Sequence, residues 1–336
     1  MLKNNFTNQY KDTFPKYLKD EFIFSLDQYL DFLERLSLNP EAFYNQWNEL
    51  ERQSITDKYW TKDTNLDWKW SLSFPLFSLL EKYVHKINSP TIIGLSGLPG
   101  SGKSSLGFWI DMVAKDLGLD IKVISLDDFY LPSKEMDIAI KGNPWNVSRG
   151  FPGSHSIELL NQSLDTFLKS GFLKCPVFDK SLRDGKGDRA SWCEMNSKVL
   201  ILEGWFVGCE PISNLSEDDY VYDDKSNLSL TSLEKDYSGY IQESLIKYSD
   251  IWRKFNKIWH LKSSDFNNTI LWKTQQEEEM IIKKGSGLKD KRLSDFIRMI
   301  QTSIPQKSLS LIHSDTEIEI NKDRRINKLY TKNYLF

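Results

Sequence analysis

The chain has 336 residues, of which 40% are hydrophobic and 27% are charged, as in a globular protein with one large α/β domain and a smaller appendage. Its formal net charge of −3 argues against nucleic acid as a partner, since no excess of positive charge faces a phosphate backbone. Cys175, Cys193 and Cys209 match neither a disulfide framework nor a zinc site, and no apolar stretch reaches the roughly 18 residues of a membrane span. The first residues lack the apolar core of a signal peptide, so we expect a reduced, cytoplasmic protein without a membrane partner.

Residues 1–90 predict helices. Apolar residues recur at helical spacing over 22–36 and again over 76–87. Between them, Asn39-Pro40 ends one helix and can cap the next. We expect a helical extension that packs on the core domain, with a partner-binding module as the alternative.

From residue 91 the pattern changes to strands that alternate with helices. A helix is predicted at 104–117, and strands are predicted at 91–97, 121–127, 198–202, 258–261, 308–313, 317–320 and 326–330. The last two strands should form a hairpin, whereas 131–155 and 174–197 are predicted as long irregular loops. The alternation predicts one α/β domain over 91–336, with a mainly parallel sheet covered by helices on both faces.

The most specific motif lies at residues 97–104, which read Gly-Leu-Pro-Gly-Ser-Gly-Lys-Ser, the pattern of a phosphate-binding P-loop. It follows an apolar strand and opens a helix, so backbone N–H groups and the positive helix end can surround a triphosphate. We expect Lys103 to reach the β- and γ-phosphates of ATP and Ser104 to bind Mg²⁺. The full predicted nucleotide site is Gly97, Leu98, Pro99, Gly100, Ser101, Gly102, Lys103, Ser104 and Ser105. The predicted fold is therefore a three-layer α/β/α P-loop NTPase.

Three carboxylates follow strands that should end near this loop. Asp127 and Asp128 close the second strand, where a carboxylate can accept the proton of an attacking hydroxyl. Asp127 is the predicted base, and Asp128 supports it or holds a metal-bound water; two solvated turn aspartates are the alternative. Glu203 ends the strand at 198–202 as in a Walker-B strand, which makes it a candidate for Mg²⁺ or its water shell.

Two stretches without regular structure carry positive side chains. The first is rich in Pro and Gly and holds Arg149 and His155; the second is rich in Lys and Arg and holds Lys180 and Arg189. A guanidinium binds a carboxylate through two hydrogen bonds, so a small acid would suit these groups. A solvated basic loop is the alternative.

Together these motifs resemble those of the D-glycerate 3-kinase family of plants, fungi and cyanobacteria, within the P-loop kinase group of uridine kinase, pantothenate kinase and phosphoribulokinase. The matching segments are 97–104, 125–130 (Ser-Leu-Asp-Asp-Phe-Tyr), 142–145, 149–155 (Arg-Gly-Phe-Pro-Gly-Ser-His), 176–181, 185–189 (Gly-Lys-Gly-Asp-Arg), 202–205 and 272–277. The resemblance extends from about residue 90 to the C-terminus. This chain has Ser156, Lys186 and Lys273 where the family commonly has Asp, Arg and Arg.

The resemblance implies phosphoryl transfer from ATP to D-glycerate, which gives 3-phosphoglycerate, with Asp127 as base. It implies that Ser104, Glu203 and Asp128 organise Mg²⁺. The implied substrate residues are Arg149, His155, Lys180 and Arg189. A kinase of the same group for another small alcohol, such as uridine or pantothenate, is the alternative, and a nucleotide-binding regulatory ATPase is a second.

Overall fold

The computed structural model describes residues 9–60, 64–220, 228–284, 287–310 and 312–334. Its strands are β1 (Thr91–Gly97), β2 (Ile121–Ser125), β3 (Phe172–Asp179), β4 (Asp188–Asn196), β5 (Val199–Gly204), β6 (Lys257–Ser263), β7 (Thr316–Ile320) and β8 (Ile326–Thr331). Its helices are α1 (Lys16–Lys19), α2 (Leu26–Arg35), α3 (Pro40–Arg52), α4 (Leu66–Trp68), α5 (Phe74–Lys86), α6 (Lys103–Asp116), α7 (Ser133–Ala139), α8 (Ile157–Ser170), α9 (Ser232–Trp252), α10 (Asn268–Lys284), α11 (Asp290–Thr302) and α12 (Gln306–Ser310).

Six strands form one sheet in the order β2-β5-β1-β6-β7-β8. The first five are parallel, and β8 returns antiparallel to β7 in the predicted hairpin. The register pairs Glu203 with both Leu95 and Ser125, so β1, β2 and β5 end side by side. In parallel α/β sheets this carboxyl edge is where ligands bind.

Alternate residues of the central strands face opposite sides of the sheet, as the two-residue period of a strand requires. In β1, Ile93 and Leu95 lie in one core cluster and Ile92 in the other; in β5, Ile201 and Leu200 are separated in the same way. Helices α2, α3, α5 and α6 cover the first face, whereas α8, α9 and α11 cover the second. The three-layer α/β/α fold with a mainly parallel sheet is therefore confirmed.

The N-terminal helices form as the sequence indicates. Asn39 caps α3, since its side chain accepts a hydrogen bond from the Ala42 N–H at 3.0 Å, and Pro40 occupies the first turn. These helices and the sheet share one continuous core cluster. The domain boundary at residue 90 stays a prediction. No helix among the described residues is long and apolar enough to cross a bilayer.

Four local predictions are wrong. The stretch at 174–197 belongs to the β3–β4 hairpin, whose second strand has no fully buried residue and so lacks the apolar alternation that identifies a strand. Residues 306–310 form helix α12 rather than the start of a strand, and Leu311 lies outside the described residues. Helix α7 interrupts the loop predicted at 131–155, and β2 ends at Ser125, before the two aspartates.

Candidate active site

The P-loop connects β1 to α6 at the carboxyl edge of the sheet, as predicted. Gly100 and Gly102 adopt left-handed conformations with φ of 78° and 98°, which a side chain would strain. Neighbouring tryptophans also exclude a side chain, because a Cβ on Gly100 would lie 2.6 Å from the Trp272 Cβ and one on Gly102 would lie 2.8 Å from the Trp68 ring. The loop therefore requires glycine at both positions, and its backbone can approach a phosphate closely.

Lys103 opens α6, and only 7% of its surface is exposed. Burial lowers the pKa of its ammonium group, while the carboxylates of Glu203 and Asp127 oppose that shift. A cation held at a helix N-terminus, where the dipole is also positive, lacks a full complement of negative charge. The position therefore favours an anionic ligand.

Ser104 and Glu203 meet across the P-loop and β5. The Ser104 hydroxyl donates a hydrogen bond to Glu203 Oε1 at 3.0 Å. A hydroxyl and a carboxylate oxygen are the hard ligands that Mg²⁺ takes from proteins, with phosphates and waters completing its shell. No group of three or more His, Cys, Asp or Glu side chains that could hold a metal by itself occurs within the described ranges. The pair fits a cation that is shared with a bound nucleotide.

A 3₁₀ turn at Leu126–Phe129 carries the two aspartates directly after β2. Asp127 accepts a hydrogen bond from Lys180 Nζ at 2.6 Å, and the two side chains are 30% and 52% exposed. Burial alone would raise the pKa of Asp127, but the charge and hydrogen bond of Lys180 hold it well below its usual range. The carboxylate is thus ionised and open to a ligand.

Asp128 faces the other way from its neighbour. Its carboxylate accepts hydrogen bonds from the backbone N–H groups of Ser125 and Phe178, both at 3.3 Å. It therefore closes the capping box of the turn and joins that turn to β3. Burial raises the pKa of Asp128. These contacts suit a positioning residue better than a metal ligand.

Tyr130 is the centre of a second group of predicted residues. The His155 ring stacks on it with centroids 4.4 Å apart, and the Arg189 Nε donates to its carbonyl at 3.1 Å. The Tyr130 hydroxyl hydrogen-bonds Asp127, which helps to keep that carboxylate ionised. The structure thus brings Lys180, His155 and Arg189 together around Asp127 and Tyr130.

His155 and Arg189 each present a buried polar atom without a partner among the described residues, Nε2 and Nη2 respectively. The other ring nitrogen of His155, Nδ1, lies 2.7 Å from the Tyr248 hydroxyl. Burial lowers the pKa of His155 to about 4, so its imidazole is neutral at physiological pH. Unpaired buried polar atoms are costly unless a ligand or water meets them.

Arg149 makes its hydrogen bonds with the β3–β4 turn, and its charge also acts on Tyr130 and Lys180. Its Nη1 donates to the carbonyls of Gly185 and Lys186 at 2.8 and 2.7 Å, and its guanidinium lies 5.8 Å from the Phe178 ring. Arg149 therefore holds the turn between β3 and β4, which begins at Lys180.

Sequence reasoning assigned no role to several residues at this site. Tyr130 lies inside the motif at 125–130, but nothing in that motif indicates that its ring stacks on His155. Lys273 is buried, pairs with Glu277 and lies 4.9 Å from the centre of the Phe296 ring. Burial lowers its pKa, and its charge interacts with both Lys180 and Asp127. Arg324 donates a hydrogen bond to the Gly100 carbonyl of the P-loop at 2.9 Å, but it lies in a turn without a motif, so no sequence signal could identify this contact.

The parallel sheet with a P-loop between β1 and α6 defines a P-loop NTPase. No family model matches the chain. The chain is 30% identical over 239 residues to the uncharacterized kinase mug58 of Schizosaccharomyces pombe, covering 66% of this chain and 82% of that protein. It is 32% identical over 230 residues to the probable ATP-dependent kinase TDA10 of Saccharomyces cerevisiae, covering 62% and 74%.

The chain is also 30% identical over 221 residues to the chloroplastic D-glycerate 3-kinase of Arabidopsis thaliana. That match covers 62% of this chain and 45% of the plant protein. Among solved structures, the YGR205w protein aligns with a TM-score of 0.62 and 26% identity, over 78% of this chain and 99% of the other. A D-glycerate 3-kinase from Cryptococcus neoformans aligns with a TM-score of 0.59 and 26% identity, over 76% and 96%.

These comparisons support an ATP-dependent kinase with a small-molecule substrate. The chain belongs to the family of P-loop kinases that includes D-glycerate 3-kinase.

Proposed function

We propose that the protein transfers the γ-phosphoryl group of ATP to a hydroxyl of D-glycerate, with Asp127 as the base. The observation that carries the proposal is the Asp127–Lys180 pair at 2.6 Å, a proton acceptor next to a cation, on the turn beside the P-loop. The similarity to two D-glycerate 3-kinases supports this choice of acceptor.

ATP binds with its phosphates on the N–H groups of residues 97–105 and on Lys103, whose buried ammonium has its pKa lowered and gains from an anionic partner. Ser104 and Glu203 would hold Mg²⁺, which would neutralise phosphate charge. Asp128 keeps the 3₁₀ turn closed, so that Asp127 faces the nucleotide rather than the core.

The substrate carboxylate binds Lys180 with His155 and Arg189, whose unpartnered Nε2 and Nη2 atoms gain a ligand. Asp127 accepts the proton of the substrate hydroxyl while the hydroxyl oxygen forms a bond to the γ-phosphorus. The bond from the γ-phosphorus to the bridging oxygen breaks at the same time, and ADP leaves. Arg149 acts indirectly, since it orders the loop that presents Lys180.

The experiment that tests this function is an acceptor panel with the purified protein. ADP release is measured with MgATP and D-glycerate, L-glycerate, uridine, pantothenate or no acceptor. We expect turnover with D-glycerate, and ³¹P and ¹³C NMR of the product should locate the phosphate on the 3-hydroxyl.

Two outcomes would contradict the proposal. Turnover with uridine or pantothenate alone would indicate another kinase of the group. Slow ATP hydrolysis that no small alcohol stimulates would indicate a regulatory ATPase.

The cytoplasmic location expected from the sequence stays a prediction, and the Arabidopsis relative is described as chloroplastic.

Replacing Lys180 by Met should affect the acceptor and the pH profile together. The KM for D-glycerate should rise about tenfold, the equivalent of one charge-assisted hydrogen bond. Because the Lys180 ammonium lowers the pKa of Asp127, its loss should raise that pKa. The base must be ionised, so the acid limb of kcat/KM should move to higher pH.

The matched control is Lys186→Met, which removes an exposed lysine from the same turn. It should leave both the KM and the acid limb in place. An unchanged acid limb in the Lys180 variant would exclude Lys180 as the group that keeps Asp127 ionised.

A further inference from the structure

The two left-handed glycines of the P-loop each pack against a tryptophan from a distant part of the chain. Trp272, from α10, contacts Gly100, and Trp68, from α4, contacts Gly102. Trp272 is fully buried and Trp68 is 6% exposed. The conformation of the loop is therefore determined partly by residues outside the phosphate-binding motif.

The turn between β7 and β8 is a third contact of the loop. Arg324 Nε donates a hydrogen bond to the Gly100 carbonyl at 2.9 Å, and the guanidinium lies 5.6 Å from the centre of the Trp272 ring. Trp272 Nε1 also donates to the Lys322 carbonyl at 2.7 Å. Arg324 itself has a φ of 56°, a conformation that a residue with a side chain keeps only when its surroundings impose it.

The N-terminal region imposes that conformation through two adjacent residues, Asp67 and Trp68, which we call the support segment. Trp68 Nε1 donates to the Arg324 carbonyl. The Asp67 carboxylate is fully buried and accepts from Arg325 Nε at 2.8 Å and from the Ile326 N–H at 3.0 Å. These contacts hold the chain from the Arg324 carbonyl to Ile326. The support segment directly precedes a π-helical turn at Lys69–Ser73, of a kind often found at functional sites.

We propose that the support segment is a positioning element for nucleoside triphosphate binding. It fixes the β7–β8 turn, so that Arg324 and the two tryptophans keep the P-loop N–H groups directed at the phosphates before ATP arrives. A loop ordered in advance binds more tightly, because its conformational entropy is not lost on binding. The inference rests on the proposed use of ATP but is independent of which acceptor the enzyme takes.

The test measures MgATP binding by calorimetry in the absence of any acceptor, for the full chain and for Trp68→Phe and Asp67→Asn. Trp68→Phe removes the Nε1 donor and shortens the ring over Gly102, and Asp67→Asn weakens the contacts with Arg325. Each variant should bind MgATP about fivefold to twentyfold more weakly, as expected for the loss of one or two hydrogen bonds. The KM for the acceptor and the kcat at saturating ATP should change by less than about twofold, since the support segment contacts neither the proposed acceptor residues nor Asp127.

Tyr29→Phe is the matched control. Tyr29 is buried in the same region, and its hydroxyl donates to the Trp70 carbonyl at 2.6 Å. The variant loses a buried hydrogen bond two residues beyond Trp68 but no contact with the turn. It should lower the melting temperature while the Kd for MgATP stays unchanged.

A double-mutant cycle shows whether the effect passes through Arg324. If it does, Arg324→Gln combined with Trp68→Phe weakens binding less than the sum of the two single changes. Additive effects, or folded Trp68 and Asp67 variants that bind MgATP as the unmodified chain does, would overturn the inference. If the unmodified chain itself does not bind MgATP, the proposed function fails together with it, so the two failures are distinguishable.

Discussion

Replacing Asp127 by Asn should lower kcat about 10²- to 10⁴-fold, the usual contribution of a general base. The amide keeps the shape of the side chain, but it has no useful affinity for a proton. Its oxygen can still accept from Lys180, so the acceptor site keeps its geometry. The loss should therefore appear in kcat rather than in the KM for the acceptor.

Binding of MgATP should survive this change, because the variant loses a negative charge that repels the phosphates and loses no phosphate-binding group. Both members of the Asp127–Lys180 pair are partly exposed, so the unpaired lysine can be solvated and the fold should persist. Single-turnover ADP formation and calorimetric binding of MgATP, measured on the same preparation, separate chemistry from binding.

Asp137→Asn is the matched control for this experiment. Asp137 pairs with Arg183 at 2.7 Å, so the variant also removes a carboxylate from a cation in the β3–β4 turn. Both members of that pair are partly exposed, and kcat should change by less than about twofold. A kcat for Asp127→Asn as high as that of the control would exclude Asp127 as the base.

Replacing Lys103 by Ala should lower kcat/KM for ATP about 10²- to 10³-fold, as the loss of one preorganised electrostatic donor does in other enzymes. Lys103 is buried at the N-terminus of α6, next to the backbone groups that surround the phosphates. A charge in such a desolvated position acts more strongly on a phosphate than an exposed charge would.

The variant should still fold. Burial disfavours the ammonium form of Lys103 in the unliganded protein, since it lowers the pKa of that group. Lys103→Met keeps more of the side-chain volume and should show the same kinetic loss, which would assign the loss to charge rather than to a cavity. Circular dichroism and the melting temperature would check the fold of both variants.

Lys115→Ala removes an exposed lysine from the last turn of the same helix and serves as the control. It should leave kcat/KM within about twofold of the unmodified enzyme, because screened surface charge has little effect at a distance. If kcat/KM of the Lys103 variants equals that of this control, residues 97–105 are not the triphosphate site.

The strand–loop–helix unit around residues 91–116 could be predicted because its signals are local. Continuous apolar character indicates a strand buried on both faces. The glycines at 100 and 102 indicate left-handed backbone conformations that residues with a side chain disfavour. The β7–β8 hairpin could be predicted for the same reason, since the alternation of apolar and polar residues in its strands spans only a few positions. The β3–β4 hairpin was not, because β4 is mostly exposed and lies outside the main sheet.

The fold class, the phosphate-binding loop and a set of candidate side chains can be read from local patterns in the sequence. The contacts among these side chains follow from the folded arrangement. Lys180 hydrogen-bonds Asp127, His155 stacks on Tyr130, and Arg149 hydrogen-bonds the carbonyl of Gly185 in the β3–β4 turn. Likewise, Trp68 meets Arg324 although 256 positions separate them. Such contacts depend on strand order and loop packing, which join segments remote in sequence, whereas periodicity reports only on neighbours along one element.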